Sequence, residues 1–407
     1  MSFQQGLSGL NAASKNLDVI GNNVANASTV GFKQAQAQFA DVYANSLSGS
    51  GGSQVGIGVK VAQVSQQFTQ GNITSTNNPL DVAINGGGFF RMDNNGEISY
   101  QRNGQFQLDK MGFIVNPTGG KLTGYTANAS GVLSTGAAAP LSINTADLPP
   151  LMTSEVNAVL NLDSGSPDLP VPPALPAFSI LDPTTYTNST AVTLYDSLGN
   201  DQTLQMYYVK QPGNNWNVYA ASDGVAIGAA PIAALSFDSS GVLTTAMPAA
   251  VNVPATAAGA TLGSVDIDFT GTTQFGAKFS VNTLNQDGYT SGRLAGFDMA
   301  ADGIVLGRYT NGQTAVLGQV VLAAFANPNG LQPKGNNQWV ETSTSGVPLV
   351  GAPDSGSLGV LQSRAVEDSN VDLTAELVNM ITAQRMYQAN AQTIKAQDEV
   401  LQTLVNL

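Results

Sequence analysis

Apolar residues recur at steps of four and three along the last part of the chain, from Val371 to Asn406, a stretch of 36 residues without glycine or proline. This spacing is the heptad pattern of coiled coils, and a helix of that length extends about 54 Å. A helical hairpin folded within the monomer is the alternative, but the sustained period favours coiled-coil packing. The stripe consists of Leu373, Leu377, Met380, Gln384, Tyr387, Ala391, Ile394, Asp398, Leu401 and Val405.

The beginning of the chain has the same spacing. Lys15 and Asp18 are the only charged residues among the first thirty, and a helix without a charged face rarely lies open to water. We therefore predict two terminal helices, over residues 1–24 and 371–407, that form a coiled coil. The N-terminal stripe consists of Phe3, Leu7, Leu10, Ser14, Leu17, Gly21 and Val24.

The start of the C-terminal helix carries a capping signal. Ser369 and Asp372 fit a capping box, with Ser369 as the capping residue. Glu376 adds an acid near the positive end of the helix dipole.

The stretch "IGNNVANASTVGFK" (Ile20–Lys33) is predicted to end the first helix and to begin a connector. Asn22, Asn23 and Asn26 can accept or donate at the helix end, or bond another copy of the chain, without desolvating a charge. A ligand loop would need a second convergent polar group, and the sequence offers none.

Between the helices, the sequence alternates apolar and polar residues between turn signals such as Asn95-Gly96, which is typical of β-hairpins. The proline-rich stretch Ser166–Pro176 interrupts this alternating pattern, and further strand-like runs follow it. We predict a mainly β chain with long terminal α-helices and discontinuous, nested domains: a terminal coiled coil plus two β-rich domains. The parts are the coiled coil (1–24 and 371–407), a connector (25–71 and 363–370), an inner β domain (72–147 and 289–362) and an inserted outer β domain (148–288).

Composition excludes several classes of function. The formal net charge is −13 and the pI is near 4.2, so there is no basic footprint for nucleic acid. The chain has no cysteine and no histidine, which removes thiol chemistry and the commonest general base and metal ligand. We expect no catalytic residue, no cofactor and no metal site. Asp163, Asp266 and Asp268 are the only calcium candidates, and a solvated strand face explains them better.

Two further signals are absent from the sequence. The first thirty residues have no basic start, long apolar core or cleavage site, so we expect no cleavable secretory signal. No apolar run reaches about eighteen residues, so we expect no membrane span.

Three stretches resemble a known family. "LSGLNAASKNLDVIGNNVANASTVGFK" (Leu7–Lys33) resembles the N-terminal signature of bacterial flagellar rod and hook subunits, and "NPLDVAINGGGFF" (Asn78–Phe90) is similar to the start of their inner β domain. "SNVDLTAELVNMITAQRMYQANAQTIKAQDEVLQTLVNL" (Ser369–Leu407) resembles their C-terminal helix. "LYDSLGNDQTLQMYYVK" (Leu194–Lys210), within the insertion, is similar to hook rather than rod subunits.

The resemblance implies a structural subunit that polymerises with copies of itself. The polymer would be the flexible curved tube, a universal joint that couples the flagellar rod to the filament and transmits motor torque. Implied partners are the rod, hook cap and hook–filament junction proteins and the flagellar type III export apparatus, with a location outside the cell. Another axial subunit, or a secreted glycan hydrolase using two carboxylates, stays open.

Both helix stripes and the asparagines at the first helix end are predicted to contact other copies of the chain. These candidate interface residues are Leu7, Leu10, Leu17, Asn22, Asn23, Val24, Asn26, Leu373, Leu377, Met380, Tyr387, Ile394 and Leu401.

Overall fold

Each end of the chain forms a helix, and the two helices pack against each other. They are α1 (Ser2–Ala25) and α2 (Leu373–Val405). Gly6 lies against Ile394 and Gly9 against Asn390, so the helices run antiparallel. The structure, a computed structural model, describes residues 2–42, 56–128, 131–169, 178–255 and 259–405.

The capping residue of α2 differs from the prediction. The helix begins at Leu373, so Asp372 is the residue that precedes it. Asp372 Oδ1 accepts hydrogen bonds from the backbone N–H groups of Thr374 (2.9 Å) and Ala375 (3.1 Å), which are otherwise without helical partners. Ser369, the predicted cap, lies too far from the helix and accepts from the N–H of Val371 instead (3.3 Å).

Nine residues, 26–34, separate the end of α1 from the first strands. β1 (Ala35–Val42) and β2 (Gly58–Gln66) form an antiparallel hairpin. Residues 43–55 lie outside the described residues. β3 (Ile73–Ser75) comes next.

The strands of the inner region begin a large antiparallel sheet. The β5–β6 hairpin has the predicted two-residue turn, in which Asn95 (φ 54°) and Gly96 (φ 95°) are both left-handed. β4 (Val82–Asn85) lies outside this sheet, and the strands that begin it are β5 (Phe89–Asn94), β6 (Glu97–Gln101), β7 (Gln107–Leu108), β8 (Ile114–Val115), β9 (Lys121–Thr126) and β10 (Ala139–Pro140).

The next ten strands form two five-stranded sheets. One has the order β17-β18-β11-β19 with β20 on β11, and the other the order β12-β13-β14-β15 with β16 on β14. The strands are β11 (Glu155–Asp163), β12 (Asn188–Tyr195), β13 (Asp201–Gln211), β14 (Asn215–Ser222), β15 (Val225–Ala226), β16 (Ala233–Ser236), β17 (Ala249–Asn252), β18 (Ser264–Asp268), β19 (Thr273–Phe275) and β20 (Ser280–Gln286).

Alternate residues of these two sheets build one apolar core. Val156, Leu160 and Leu162 of β11 belong to the same cluster as Tyr208 of β13 and Trp216 of β14. The strand period of two therefore places one face of each sheet inward. The chain enters and leaves this region side by side, because Leu148 pairs with Gly292 and Leu151 with Tyr289.

The last strands return to the inner region and complete a thirteen-stranded sheet with the main order β21-β22-β23-β9-β5-β6-β26-β25. β28 pairs with β4, and β29 with β3. The strands are β21 (Leu294–Met299), β22 (Ile304–Tyr309), β23 (Thr314–Val320), β24 (Leu322–Ala324), β25 (Gln332–Gly335), β26 (Gln338–Val340), β27 (Leu349–Gly351), β28 (Val360–Ser363) and β29 (Ala365–Glu367).

The chain forms two compact units. The first comprises Met1–Thr145, Gly296–Arg308 and Thr314–Leu407, and the second comprises Ala146–Ala295 and Tyr309–Gln313. The sequence predicted a finer division, with helices, connector and inner β domain as separate parts. Most of the proline-rich stretch Ser166–Pro176 lies outside the described residues. In the part of the chain that is described, no helix is long and apolar enough to span a membrane.

Candidate functional site

The face of α1 that meets α2 is built from small and polar residues. Gly6, Ala13, Ile20 and Asn23 on this face are buried, and Ile20 is its largest apolar side chain. A Cβ on Gly9 would lie 2.7 Å from Asn390 Oδ1 of α2, so glycine allows the close approach. The inward face follows heptad spacing and consists of Gly6, Gly9, Ala13, Asn16, Ile20 and Asn23.

From Leu7 onward, each residue of the predicted α1 stripe comes one position after a residue of this inward face in the sequence. Phe3 and Leu7 are 45% and 43% exposed, and Leu10, Leu17 and Val24 are half-buried. The heptad period itself is present in the helix. The large apolar residues of the predicted stripe, however, are not among its buried residues.

Helix α2 has a similar division. Ala383 is buried against the rest of the chain, and Met380 and Ile394 are half-buried. A Cβ on Gly6 would lie 3.1 Å from Ile394 Cγ1, so Ile394 contacts α1 of its own chain. The exposed apolar side chains of this helix are Leu373, Leu377, Val378, Ile381, Met386, Tyr387, Val400 and Leu401.

The predicted role of Asn23 is corrected by its position inside the subunit. Asn23 is 1% exposed; its Nδ2 donates to Ala35 O (2.8 Å), and its Oδ1 accepts from Ala35 N–H (2.9 Å). The side-chain amide thus fixes the end of α1 to the start of β1. Asn26 Nδ2 donates to the carbonyl of the exposed Asn22 (2.9 Å), as predicted for a helix end.

A cavity of about 400 Å³ lies where α1, β1 and the start of α2 meet. Glu376 lines it and is 3% exposed. Glu376 Oε1 accepts a hydrogen bond from Gln34 Nε2, whereas Oε2 is buried without a partner among the described residues. The cavity is also lined by Asn16, Val19, Ile20, Asn23, Ala35, Gln36, Ala37, Phe39, Asn379, Thr382 and Ala383.

A buried ion network joins the segments that enter and leave the two helices. Lys33 Nζ donates to Glu367 Oε1 (2.6 Å) and to Thr69 O (2.7 Å). Arg102 Nη1 donates to Glu367 Oε2 (3.1 Å), and its Nη2 donates to Gly86 O (2.9 Å). One carboxylate therefore ties together the chain after α1, the chain before α2 and the inner sheet.

The charges of this network are strongly desolvated. The side chains of Lys33 and Glu367 are fully buried, and that of Arg102 is 4% exposed. Burial lowers the pKa of both the Lys33 ammonium and the Arg102 guanidinium, and the adjacent Glu367 carboxylate opposes that shift. Removal of one member of such a network leaves an uncompensated buried charge.

Gly31, next to the network, has a backbone that only glycine adopts easily. Its φ is +71°, and a Cβ at this position would lie 2.5 Å from Asn103 N. Gly31 N–H donates to Glu367 O (2.8 Å). The end of the "IGNNVANASTVGFK" stretch is therefore a structural joint, and no local pattern in the sequence identifies its partners.

The candidate calcium ligands are not assembled. Asp266 is an exposed residue of β18. Within the described ranges, no group of three or more acidic residues lies close enough to hold a metal ion.

Four family profiles match the sequence in order along the chain. They describe a flagella basal body rod protein (residues 3–33), the flagellar hook protein FlgE/F/G D1 domain (83–157), the flagellar basal body protein FlaE D2 domain (161–289) and the flagellar basal body rod FlgEFG protein C-terminal region (362–407).

Relatives that match over their whole length show which of these flagellar protein families the chain belongs to. The flagellar hook protein FlgE of Salmonella typhimurium is 46% identical over 416 residues, covering 100% of both chains. The chain belongs to the flagellar hook protein family. The FlgE protein of Escherichia coli K12 is 45% identical over 414 residues, again covering 100% of both chains. This chain is therefore a subunit of the bacterial flagellar hook, located in the hook and basal body and extending outside the cell.

A solved structure supports the fold of this hook subunit. The crystal structure of Helicobacter pylori flagellar hook protein FlgE2 matches with a TM-score of 0.55 and 14% identity, covering 72% of this chain and 100% of that one. The mainly β fold with a terminal helix at each end, predicted from the sequence, is confirmed. Nothing favours the glycan hydrolase or another axial subunit.

Proposed function

We propose that this hook subunit assembles with copies of itself through the outward faces of α1 and α2. The observation that carries the proposal is the division of side chains described above: apart from Ile20 and Ile394, the residues named between the two helices are small or polar, and many large apolar side chains of both helices are exposed. Exposed apolar surface of this kind marks an interaction site. The proposed interface residues on these faces are Leu7, Leu10, Leu17, Asn22, Val24, Asn26, Leu373, Leu377, Met380, Tyr387 and Leu401, whereas Ile394 contacts α1 of its own chain.

The polymer would be a curved tube that couples the rod to the filament and transmits torque while it bends. The buried network of Lys33, Arg102 and Glu367 supports this role, because it fastens both helices to the inner sheet through one carboxylate. Force applied to either helix then reaches the β-rich region through buried ionic contacts as well as through the peptide chain.

Specific partners form a second part of the proposal. The rod, hook cap and hook–filament junction proteins would contact the polymer, and the flagellar type III apparatus would export the subunit. We further propose that the chain has no catalytic activity, because it has neither histidine nor cysteine and belongs to a structural family. Turnover of a glycan that is abolished by changing one named carboxylate would refute this.

The four-part domain division also remains a proposal. The outer domain at 148–288 lies within the second compact unit, Ala146–Ala295. A fragment of residues 146–295 should therefore unfold cooperatively on its own. A broad melt without a baseline would contradict the division.

Assembly itself is tested with Leu377→Asp. Leu377 is 44% exposed, so the substitution should leave the melting of the monomer unchanged. In a polymer the new carboxylate would be buried among apolar side chains at every subunit, which costs several kcal/mol. We expect sedimentation and electron microscopy to find no tubes.

Met111→Asp is the matched control, because Met111 is also exposed (69%) but lies in a turn outside the helices. It should assemble as the unmodified chain does. Normal tubes from Leu377→Asp would show that this face of α2 is not an interface.

A further inference from the structure

Glu376 has an acceptor that the subunit itself does not satisfy. Its side chain is 3% exposed and borders the 400 Å³ cavity between α1, β1 and α2. Oε1 is bonded to Gln34, but Oε2 has no partner among the described residues. A buried carboxylate oxygen without a donor is costly, so a donor that enters the cavity is strongly favoured.

Arg385 of α2 is a hydrogen-bond donor that lacks an acceptor within the described residues. Its exposed side chain makes no ion pair or hydrogen bond within the described residues. It follows Val378 (58% exposed) and Ile381 (51%) at helical spacing, so it shares their apolar stripe. If another copy covers that stripe, the guanidinium loses water and needs an acceptor.

Lys395, the other exposed cation of α2, does not need an acceptor from another copy. Lys395 has Asp398 and Glu399 three and four positions further on, where they can neutralise it on its own helix. The positions three and four from Arg385 hold Ile381, Thr382, Gln388 and Ala389, none of them acidic.

Glu376 and Arg385 of one chain cannot meet. They are nine residues apart, which places them on opposite sides of α2, rotated by roughly 180°. A contact between Arg385 of one copy and Glu376 of another therefore joins two different surfaces. Such a head-to-tail contact either closes into a ring or continues from subunit to subunit as an open helical polymer.

We propose that Arg385 of one subunit enters the Glu376 cavity of a neighbouring subunit and donates to Glu376 Oε2. A guanidinium suits this site better than an ammonium, since its remaining N–H groups reach the polar side chains of Asn379 and Thr382 at the cavity wall. The proposal rests on the assembly function above and names the polar contact within it.

The energetic test is a double-mutant cycle on the concentration at which the full-length chain polymerises. Glu376→Gln and Arg385→Gln should each raise that concentration about tenfold, as expected for loss of a charge-assisted bond. The double variant should be no worse than the poorer single variant. Lys395→Gln is the control, and its effect should multiply with that of Glu376→Gln. Independent effects of Glu376→Gln and Arg385→Gln, or coupling of Glu376 to Lys395, would overturn the pairing.

A cross-linking test leaves both residues intact. The chain has no cysteine, so introduced thiols are unique. One chain carries Thr382→Cys at the cavity wall and the other Gln388→Cys beside Arg385, and the mixed polymer is treated with a short bis-maleimide. We expect a cross-linked dimer.

Gln402→Cys, on the distal part of the same helix, should give none with Thr382→Cys. Polymer without the Thr382–Gln388 product, or with as much Thr382–Gln402 product, refutes the contact while the assembly function stands. Failure of the unmodified chain to polymerise would instead refute the assembly function.

Discussion

Lys33 Nζ lies 2.6 Å from Glu367 Oε1, although 334 positions separate the two residues in the sequence. Both side chains are fully buried, and Arg102 Nη1 donates to the other oxygen of the same carboxylate (3.1 Å). The residues on either side of the two terminal helices are thus joined where the helices meet the β-rich region.

Glu367→Gln should destabilise the first compact unit by about 3–5 kcal/mol, because it leaves two buried cations without a counter-charge. The measurement is the denaturant midpoint of the full-length chain. Asp298→Asn is the control: it removes a carboxylate that binds Arg308 and Arg364 at the surface, and should cost less than about 1 kcal/mol. Equal losses of stability in the two variants would mean that the buried network stabilises the chain no more than a surface ion pair does.

Gly31→Ala should destabilise the chain by more than about 2 kcal/mol, since it adds left-handed strain and an overlap with the backbone at Asn103. Gly96→Ala separates these causes. Gly96 also has a positive φ, but a Cβ there meets nothing within 4 Å, so only the strain of about 1 kcal/mol applies. Thermal melts of both variants decide whether the close approach at Asn103 matters.

Two glycines of α1 should respond in opposite directions. A Cβ at Gly21 meets nothing within 4 Å, so Gly21→Ala should stabilise the helix by about 1 kcal/mol. Gly9→Leu should separate α1 from α2, because even a Cβ at Gly9 would overlap Asn390. Amide exchange across both helices is the readout. Slower exchange in both variants would show that helix propensity, rather than close packing, limits the pair.

Acid should weaken the second compact unit through Asp287. Burial acts to raise the pKa of Asp287, but donation from Glu155 N–H, and from the N–H and hydroxyl of Ser154, outweighs it and holds the pKa below its usual 3.8. The stability that this carboxylate contributes is present above pH 3.8 and is lost as the pH falls through the lower folded-state value.

The free energy of unfolding of Asp287→Asn, compared with the unmodified chain at a series of pH values, measures this effect. The difference should be largest near neutral pH and should shrink below pH 3.8. Asp266→Asn, at an exposed position of β18, is the control for loss of a surface carboxylate. A difference that is constant from neutral to acid pH would contradict the proposed role of the ionised Asp287.

The sequence predicted the helices, the nested β regions and the Asn95-Gly96 turn, because each depends on local spacing or local chemistry. It did not predict which stripe of α1 faces α2. Gly6, Gly9 and Ala13 carry little hydrophobic signal, yet their small size allows the helices to approach. Neither did it predict the Lys33–Glu367 pair, because no local pattern relates residues so distant in the chain. Only 11% of the residues are charged, so Lys33, at the end of a helix–loop motif, is the one local signal of a buried ion pair.

Leu148 pairs with Gly292, and Leu151 with Tyr289, so the second compact unit begins and ends on two neighbouring strands. The distance between those two points is set by four backbone hydrogen bonds, two at each pair of residues, and not by anything further along the insertion. Evolution can therefore lengthen, shorten or exchange the inserted sequence without changing the gap that the rest of the chain must close. A hook subunit with a longer or shorter insertion can keep the rest of its fold for this reason.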